Sequence, residues 1–178
     1  MSPQLLAQPL SVYLNDHLTG AFGGAALAHR MADTHADDHR AAELRSLAQQ
    51  VAEDRDELVR IMTRLGVPVR HYRMWLGIAA ERVGRLKPNG TLVHRSPLSD
   101  LLELEAMRTG VEGKAALWRA LRAIADQDPR LDPDALDRLA QRADDQARAL
   151  NRWHRAVSAQ VLPQDEGRPG HGMRSSSP

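Results

Sequence analysis

Four long stretches of this chain carry an apolar residue at every third or fourth position, and each apolar stripe is interrupted near its middle by one polar residue. Such spacing is typical of amphipathic helices that pack side by side. The interrupting residues are His17, Asp54, Lys114 and Gln146. Because a buried polar group costs free energy unless it is paired, four of them at similar depth predict one shared polar site inside a helical bundle.

The composition favours helices in a single domain. Hydrophobic residues make up 42% of the 178 positions and aromatic residues 3%, and many apolar positions are Ala or Leu. Small and unbranched apolar side chains suit close helix packing better than sheets, and a chain of this length can bury one sizeable core. We therefore predict an all-α fold made of one domain with tails.

Turn and capping residues set the expected ends of the helices. Gly66 marks the end of the second helix, and Pro97 and Pro133 mark the starts of the third and fourth, since Gly is favoured just past a helix and Pro at its first position. The helices are predicted at 10–31, 40–65, 97–124 and 133–161. The domain limits are 1–9 for an N-terminal tail, 10–162 for the bundle and 163–178 for a disordered C-terminal tail.

About 30 residues separate the second and third helices, whereas the other two connections are short. Short connections join antiparallel neighbours, and a long one lets two hairpins associate as pairs. Within the long connection, 71–86 has Trp75 and other apolar residues on one face, which predicts a shorter crossover helix. The expected architecture is an antiparallel four-helix bundle with this crossover between helices 2 and 3.

Three glycines lie in the interior of the first predicted helix, at Gly20, Gly23 and Gly24. Each costs roughly 0.5–1 kcal/mol relative to Ala in a helix interior. We expect a neighbouring backbone to approach the helix closely at these positions.

Several stretches of the chain resemble a bacterial branch of the ferritin-like superfamily that carries no assigned activity. They are SVYLNDHLTG at 11–20, DRDEL at 54–58 with LGV at 65–67, RLKPNG at 85–90, SPLS at 96–99 and GVEGKAALW at 110–118. Together they span most of 10–155. The resemblance implies a ferritin-like bundle and leaves the function open.

The wider superfamily implies a di-iron or di-manganese centre, held by one Glu on each of two helices and a Glu-x-x-His motif on each of the others. This chain departs from that pattern. No acidic residue of helix 2 is followed by His three positions later, and the nearest counterpart on helix 4 is Asn151-x-x-His154. On this interpretation the metal centre is missing or much altered.

A charge-paired core is the structural hypothesis that follows. The ammonium of Lys114 would fill the volume of a metal and neutralise Asp54, because a buried charge needs a partner. The predicted core polar cluster comprises Asp16, His17, Asp54, Glu105, Lys114 and Gln146. In the alternative arrangement Lys114 reaches the surface, and Asp54 bonds a local arginine such as Arg55 or Arg122.

Two metal sites are weaker alternatives. Carboxylate and imidazole groups suit Fe or Mn, and the ligands would come from Asp16, His17, Asp54, Glu57, Glu105 and His154, with Asp54, Glu57, Glu105 and His154 as the main set. His35 and His39 lie four residues apart beside Asp33, Asp37 and Asp38, a spacing that could hold one ion on a helix surface. A polar hairpin with surface histidines explains the same residues.

Several function classes are disfavoured by the sequence. The chain has no cysteine, so thiolate ligands and thiol nucleophiles are absent, and its formal net charge of +1 gives no field that would concentrate nucleic acid. No continuous apolar run is long enough for a membrane span. We predict a soluble cytoplasmic protein with neither nucleic acid nor membrane as a partner.

The sequence therefore predicts a structural or protein-interaction module, with a homodimer or another protein as partner and no cofactor. The enzyme alternative is a di-iron or di-manganese carboxylate oxidase or a metal-storage protein. A third class is a small-molecule binding protein that uses the interior lined by glycine and tryptophan. Trp75, Trp118 and Trp153 are expected to be packing anchors.

Overall fold

The computed structural model of the chain describes residues 3–35, 40–69 and 97–162. In these ranges the fold is entirely helical and contains four helices. They are α1 (Pro3–Thr34), α2 (Ala41–Arg64), α3 (Pro97–Ala125) and α4 (Pro133–Val161). The all-α fold with four long helices is thus confirmed. The predicted crossover helix at 71–86, with Trp75, and the predicted tail at 163–178 lie outside the described residues.

Residues at the helix ends explain where α2 stops and where α4 starts. Gly66 follows α2 with φ of 68°, and the N–H groups of Gly66 and Val67 donate to Thr63 and Met62 at 3.1 and 2.9 Å. This pair of bonds satisfies carbonyls that the end of a helix leaves free. Asp132 caps α4 by accepting a hydrogen bond from the backbone N–H of Ala135 at 3.0 Å. Both ends agree with the prediction.

The start of α1 differs from the prediction. The helix begins at Pro3, not at Leu10, and includes Pro9 in its interior. The predicted tail at 1–9 therefore contains the first turns of α1. A proline removes one backbone donor and crowds the preceding turn, but it leaves the rest of the helix intact, so Pro9 does not mark a helix start here.

Neighbouring helices run antiparallel. Asn15 near the start of α1 donates to the carbonyl of Pro68 just past α2 at 3.1 Å. Arg30 near the end of α1 lies 3.0 Å from Glu103 near the start of α3, and the backbones of these two helices pack together. The α3–α4 hairpin is antiparallel as well. It follows that α2 and α3 are parallel, with both of their carboxyl ends at the same end of the bundle.

One continuous cluster of buried apolar side chains from all four helices forms the core. The predicted stripes of α2, α3 and α4 are buried along their length, and Trp118 and Trp153 are packed within them. The stripe of α1 is different, because Leu14 and Leu18 are fully buried while His17 is only half-buried. None of the four helices is long and apolar enough to cross a membrane within the described ranges.

Candidate functional site

A buried carboxylate joins three helices at the centre of the bundle. Asp54 of α2 is 1% exposed. One of its oxygens accepts a hydrogen bond from Nζ of Lys114 on α3, and the other accepts from the guanidinium of Arg142 on α4. The structure therefore brings together two charged residues of the predicted core cluster and adds Arg142.

Two amides complete this network. Gln146 of α4 is buried, and its Oε1 accepts from Nζ of Lys114 at 2.6 Å. Its Nε2 donates to Oε1 of Gln50 on α2 at 3.0 Å. Most of the donors and acceptors at the centre thus have partners, as a buried polar network requires, although Nε of Arg142 has none among the described residues.

The charges of the network balance. Lys114 and Arg142 face Asp54, and Arg142 also lies 3.3 Å from the carboxylate of Glu53 at the rim. Burial lowers the pKa of Lys114, and the charge and hydrogen bond of Asp54 oppose that shift. The ammonium therefore sits in a water-poor environment and depends on its carboxylate partner.

The other predicted cluster residues lie elsewhere. Glu105 is exposed, and its Oε1 is 3.0 Å from Nε2 of His154. Asp16 is exposed near the half-buried His17. The alternative in which Asp54 bonds an arginine is correct in residue type, since Arg142 binds it, but the two arginines named for it pair elsewhere, Arg55 with Asp56 and Arg122 with Asp126 and Asp137.

The predicted metal ligands are not gathered into a site. Glu57 is held by Arg60 and Arg64, with N–O distances of 2.7 and 3.1 Å. Across the described part of the chain, no three His, Asp or Glu side chains meet in an arrangement that could hold a metal ion. These residues therefore do not fit the di-metal centre that the ferritin-like superfamily implies.

The histidine pair proposed as a surface metal site is only partly described. Nε2 of His35 lies 3.3 Å from Asp100, and Nδ1 lies 2.9 Å from the carbonyl of Met31. Asp33 is exposed at the end of α1. His39, Asp37 and Asp38 lie outside the described residues.

A cavity of about 470 Å³ adjoins the central network, in the range of small-molecule sites. It lies between α1 and α3, and residues of α2 form its floor. Its walls are mostly apolar and include five glycines, which are Gly20, Gly23, Gly24, Gly110 and Gly113. Lys114 and Asp54 contribute to the same wall, so the ion pair forms part of the cavity surface.

The glycines line open space, which overturns our expectation of close backbone packing at Gly20, Gly23 and Gly24. Among the described residues, a Cβ added at any of the five cavity glycines would meet no atom within 4 Å beyond its chain neighbours and its own helix backbone. Sequence alone could not separate the two cases, because a missing side chain permits either a close neighbour or a void. Here the missing side chains create the volume of the cavity.

Trp118 lies beside the cavity and has a buried indole N–H. Its side chain is 1% exposed and forms part of the wall, and its Nε1 has no hydrogen-bond partner among residues 3–35, 40–69 and 97–162. By contrast, Nε1 of the buried Trp153 donates to Glu43 at 2.9 Å. An unpaired buried N–H of this kind costs roughly 1–3 kcal/mol.

His17 lies at the same end of the cavity as Trp118. Its ring meets that of Tyr13 edge-on with centroids 4.5 Å apart. Burial lowers the pKa of His17, and the charge of Asp16 opposes the shift. Burial thereby favours the neutral imidazole.

A second depression of about 560 Å³, between α2 and α4, has charged walls. Arg60 and Arg64 in it are bound to Glu57, and Arg142 to Glu53 and Asp54. Ion-paired side chains of this kind are typical of a solvated surface.

Sequence reasoning missed Arg142, Gln50 and the two glycines of α3. Arg142 precedes Gln146 by four residues and therefore lies on the same helix face, a signal that could have found it. Gly110 and Gly113 carry the same three-residue spacing as Gly20 and Gly23. That shared spacing could have suggested two facing helix surfaces without side chains.

No family model, curated protein or solved structure matches this chain. The site is therefore interpreted from its own geometry.

Proposed function

We propose that this protein is a ferritin-like bundle in which an ion-paired network stands in place of a metal centre, and that its function is to bind an apolar small molecule in the cavity between α1 and α3. The observation that carries the binding function is the glycine-lined, mostly apolar cavity between α1 and α3. It favours the small-molecule class over the other two classes predicted from the sequence.

The arrangement of the helices supports the ferritin-like part of the proposal. Because α2 and α3 are parallel, Val69 and Pro97 stand at opposite ends of the bundle, and the segment 70–96 joins these ends. One long connection between two antiparallel hairpins is the topology of ferritin-like folds.

The contacts of the predicted ligands support a core without metal. Asp54 is shared between Lys114 and Arg142, and Glu57 between Arg60 and Arg64. A metal ion would have to displace these cations and would meet the remaining positive charge. The oxidase and metal-storage alternatives therefore find no donor set in the described part of the bundle.

The energetics of the glycines support a role for the open space. Five helix-interior glycines together cost roughly 2.5–5 kcal/mol relative to Ala, although each position has room for a methyl group. Helix stability therefore favours alanine at these positions. A bound molecule that fills the cavity would recover the lost apolar contacts.

The experiment is to fill the cavity and measure binding of the uncharged apolar fluorophore N-phenyl-1-naphthylamine. We expect saturable binding to the wild-type protein and at least about ten-fold weaker binding to Gly23→Leu and Gly113→Leu, since each new side chain occupies the cavity from a different helix. Fluorescence titration at constant protein concentration measures the affinity.

Ala116→Leu is the matched control. Ala116 is exposed on α3 outside the cavity, so this variant adds the same side chain without filling the site. Wild-type affinity in both cavity variants, or equal losses in the control, would contradict the proposal. The protein-interaction function and the homodimer stay predictions that the described residues do not test.

A further inference from the structure

We infer that binding of an apolar molecule in the cavity is coupled to the proton on His17, so that the protein holds its ligand while the imidazole is neutral and releases it on acidification. This inference rests on the small-molecule binding proposed above and specifies how that site is regulated. It follows from the place of His17 in the cavity wall, from the charges around it, and from the cost of enclosing a charge beside an apolar molecule.

His17 is a half-buried part of the cavity wall. Its ring is in edge-on contact with the ring of Tyr13, one helical turn earlier on α1. Because His17 lines the cavity, a molecule that fills the cavity lies against this side chain and takes the place of water there. Apolar surroundings disfavour the charged form of an ionisable group, so the bound molecule is itself a reason for the imidazole to stay neutral.

The charges that share the wall with His17 come from three helices. Its neighbour Asp16 on α1 is exposed, and α2 and α3 contribute Asp54, Arg55 and Lys114. Asp54 and Lys114 are paired with each other, and Arg55 is paired on its own helix. Helix α4 lends no residue to the wall within the described ranges. A proton on His17 therefore adds a positive charge, and the carboxylate left to balance it is that of Asp16, which solvent screens.

Two influences of opposite sign act on the imidazole of His17. Burial lowers its pKa and is the larger influence, while the charge of Asp16 raises it. A bound apolar molecule strengthens the first influence by removing water from the ring, whereas Asp16 is exposed and its attraction stays screened. The ligand should therefore lower the pKa of His17 further. Because the coupling between two binding events is reciprocal, a proton on His17 should weaken ligand binding by the same factor.

The residue type sets the pH range of this coupling. Histidine is the side chain whose ordinary pKa lets its charge change between about pH 5 and pH 8. The other ionisable groups in the described wall are two carboxylates, an ammonium and a guanidinium. Burial also lowers the pKa of Lys114, but Lys114 loses its proton as the pH rises, so it does not cause release in acid. A loss of affinity between neutral pH and about pH 5 is thus the signature of His17.

The test is fluorescence titration of the full chain with uncharged N-phenyl-1-naphthylamine at several pH values, with far-UV circular dichroism confirming the fold at each. We expect wild-type binding to be about three-fold weaker or more at about pH 5 than at about pH 7.5. His17→Gln keeps a polar side chain that does not titrate, so its affinity should change by less than about two-fold over the same range. His29→Gln, at an exposed position of α1 outside the cavity, is the matched control and should keep the wild-type pH dependence.

A second measurement needs no variant to fold. Titration of the assigned His17 imidazole by NMR, in the wild-type protein with and without saturating probe, should show a lower pKa when the probe is bound.

The outcomes separate the coupling from the binding itself. If the wild type binds the probe equally at both pH values, or if saturation leaves the pKa of His17 unchanged, the coupling is wrong and the proposed function stands. A pH dependence that persists in His17→Gln contradicts the coupling in the same way. If the wild type binds no probe at either pH, the coupling and the proposed function fail together.

Discussion

At the scale of single residues, Asp54 is the point on which the polar interior depends. It receives a hydrogen bond from Lys114 of α3 and another from Arg142 of α4, while almost none of its surface reaches solvent. Removal of the carboxylate leaves two cations without their shared partner. Removal of Lys114 alone leaves Arg142 and Gln146 in contact with the carboxylate, so the two losses are unequal.

A double-mutant cycle measures this coupling. Asp54→Leu should destabilise the protein by about 3–5 kcal/mol, because breaking a buried pair leaves an uncompensated charge. Lys114→Met should cost less, because the carboxylate then keeps its other partners. The double variant should be more stable than the sum of the single effects by at least about 1 kcal/mol. Urea unfolding measures each value. Additive effects would contradict a pairing in the core.

The exposed pair of Arg148 and Asp145 on α4 is the control for this cycle. Its members approach each other on the helix surface, where solvent screens the interaction. Arg148→Ala and Asp145→Ala should show no measurable coupling.

His17 predicts a pH dependence of stability. Burial lowers its pKa in the folded protein, so the unfolded chain takes up a proton at a higher pH than the folded one does. Stability should therefore fall as the pH drops from about 7.5 through the ordinary histidine value of about 6.5. His17→Gln should make this decline shallower, as measured by urea unfolding at several pH values. His29→Gln, at an exposed position of α1, should keep the wild-type slope.

At the scale of secondary-structure elements, α1 and α3 differ from the other helices because glycines replace side chains on the surfaces that border the cavity. Helix α2 and helix α4 bury complete apolar stripes. The cavity therefore lies on the α1–α3 side of the bundle.

Alanine substitution separates the two roles of glycine in this chain. Gly23→Ala and Gly113→Ala should each stabilise the protein without ligand by about 0.5–1 kcal/mol, since both positions are helical and have room for a methyl group. Gly66→Ala should destabilise it by about 1 kcal/mol or more, because φ there is 68°. Chemical denaturation measures all three. If Gly23→Ala destabilised the protein, close backbone packing would explain the glycine at this position.

The elements show how far the sequence predicts this structure. The stripes of α2, α3 and α4 predict their buried faces, and the polar residues within those stripes predict that Asp54, Lys114 and Gln146 meet. The stripe of α1 is a poor guide, because one of its sides faces a cavity. The pattern also does not predict the position of Glu105, since a carboxylate beside a stripe bonds whichever donor is nearest, here His154.

At the scale of the whole molecule, the network ties both hairpins together. Asp54 belongs to the α1–α2 hairpin, and Lys114 and Arg142 belong to the α3–α4 hairpin. The same contacts engage the almost fully buried carboxylate of Asp54, which would otherwise be available as a metal ligand.

Elemental analysis tests the charge-paired interior. Protein expressed with iron and manganese supplied and purified without chelators should contain no stoichiometric Fe or Mn, because Lys114 and Arg142 already neutralise Asp54. Plasma mass spectrometry measures the content. About two equivalents of either metal per chain would contradict this outcome and favour the di-metal ligand set.

The parallel course of α2 and α3 has a consequence for the order of folding. Contacts within each hairpin join residues that are near in sequence, whereas contacts between the hairpins require the long connecting segment to close. The hairpins should therefore assemble before they dock, and docking should be the slower event. Since Asp54 meets Lys114 and Arg142 only across the two hairpins, replacing it would affect docking and leave the hairpins free to form.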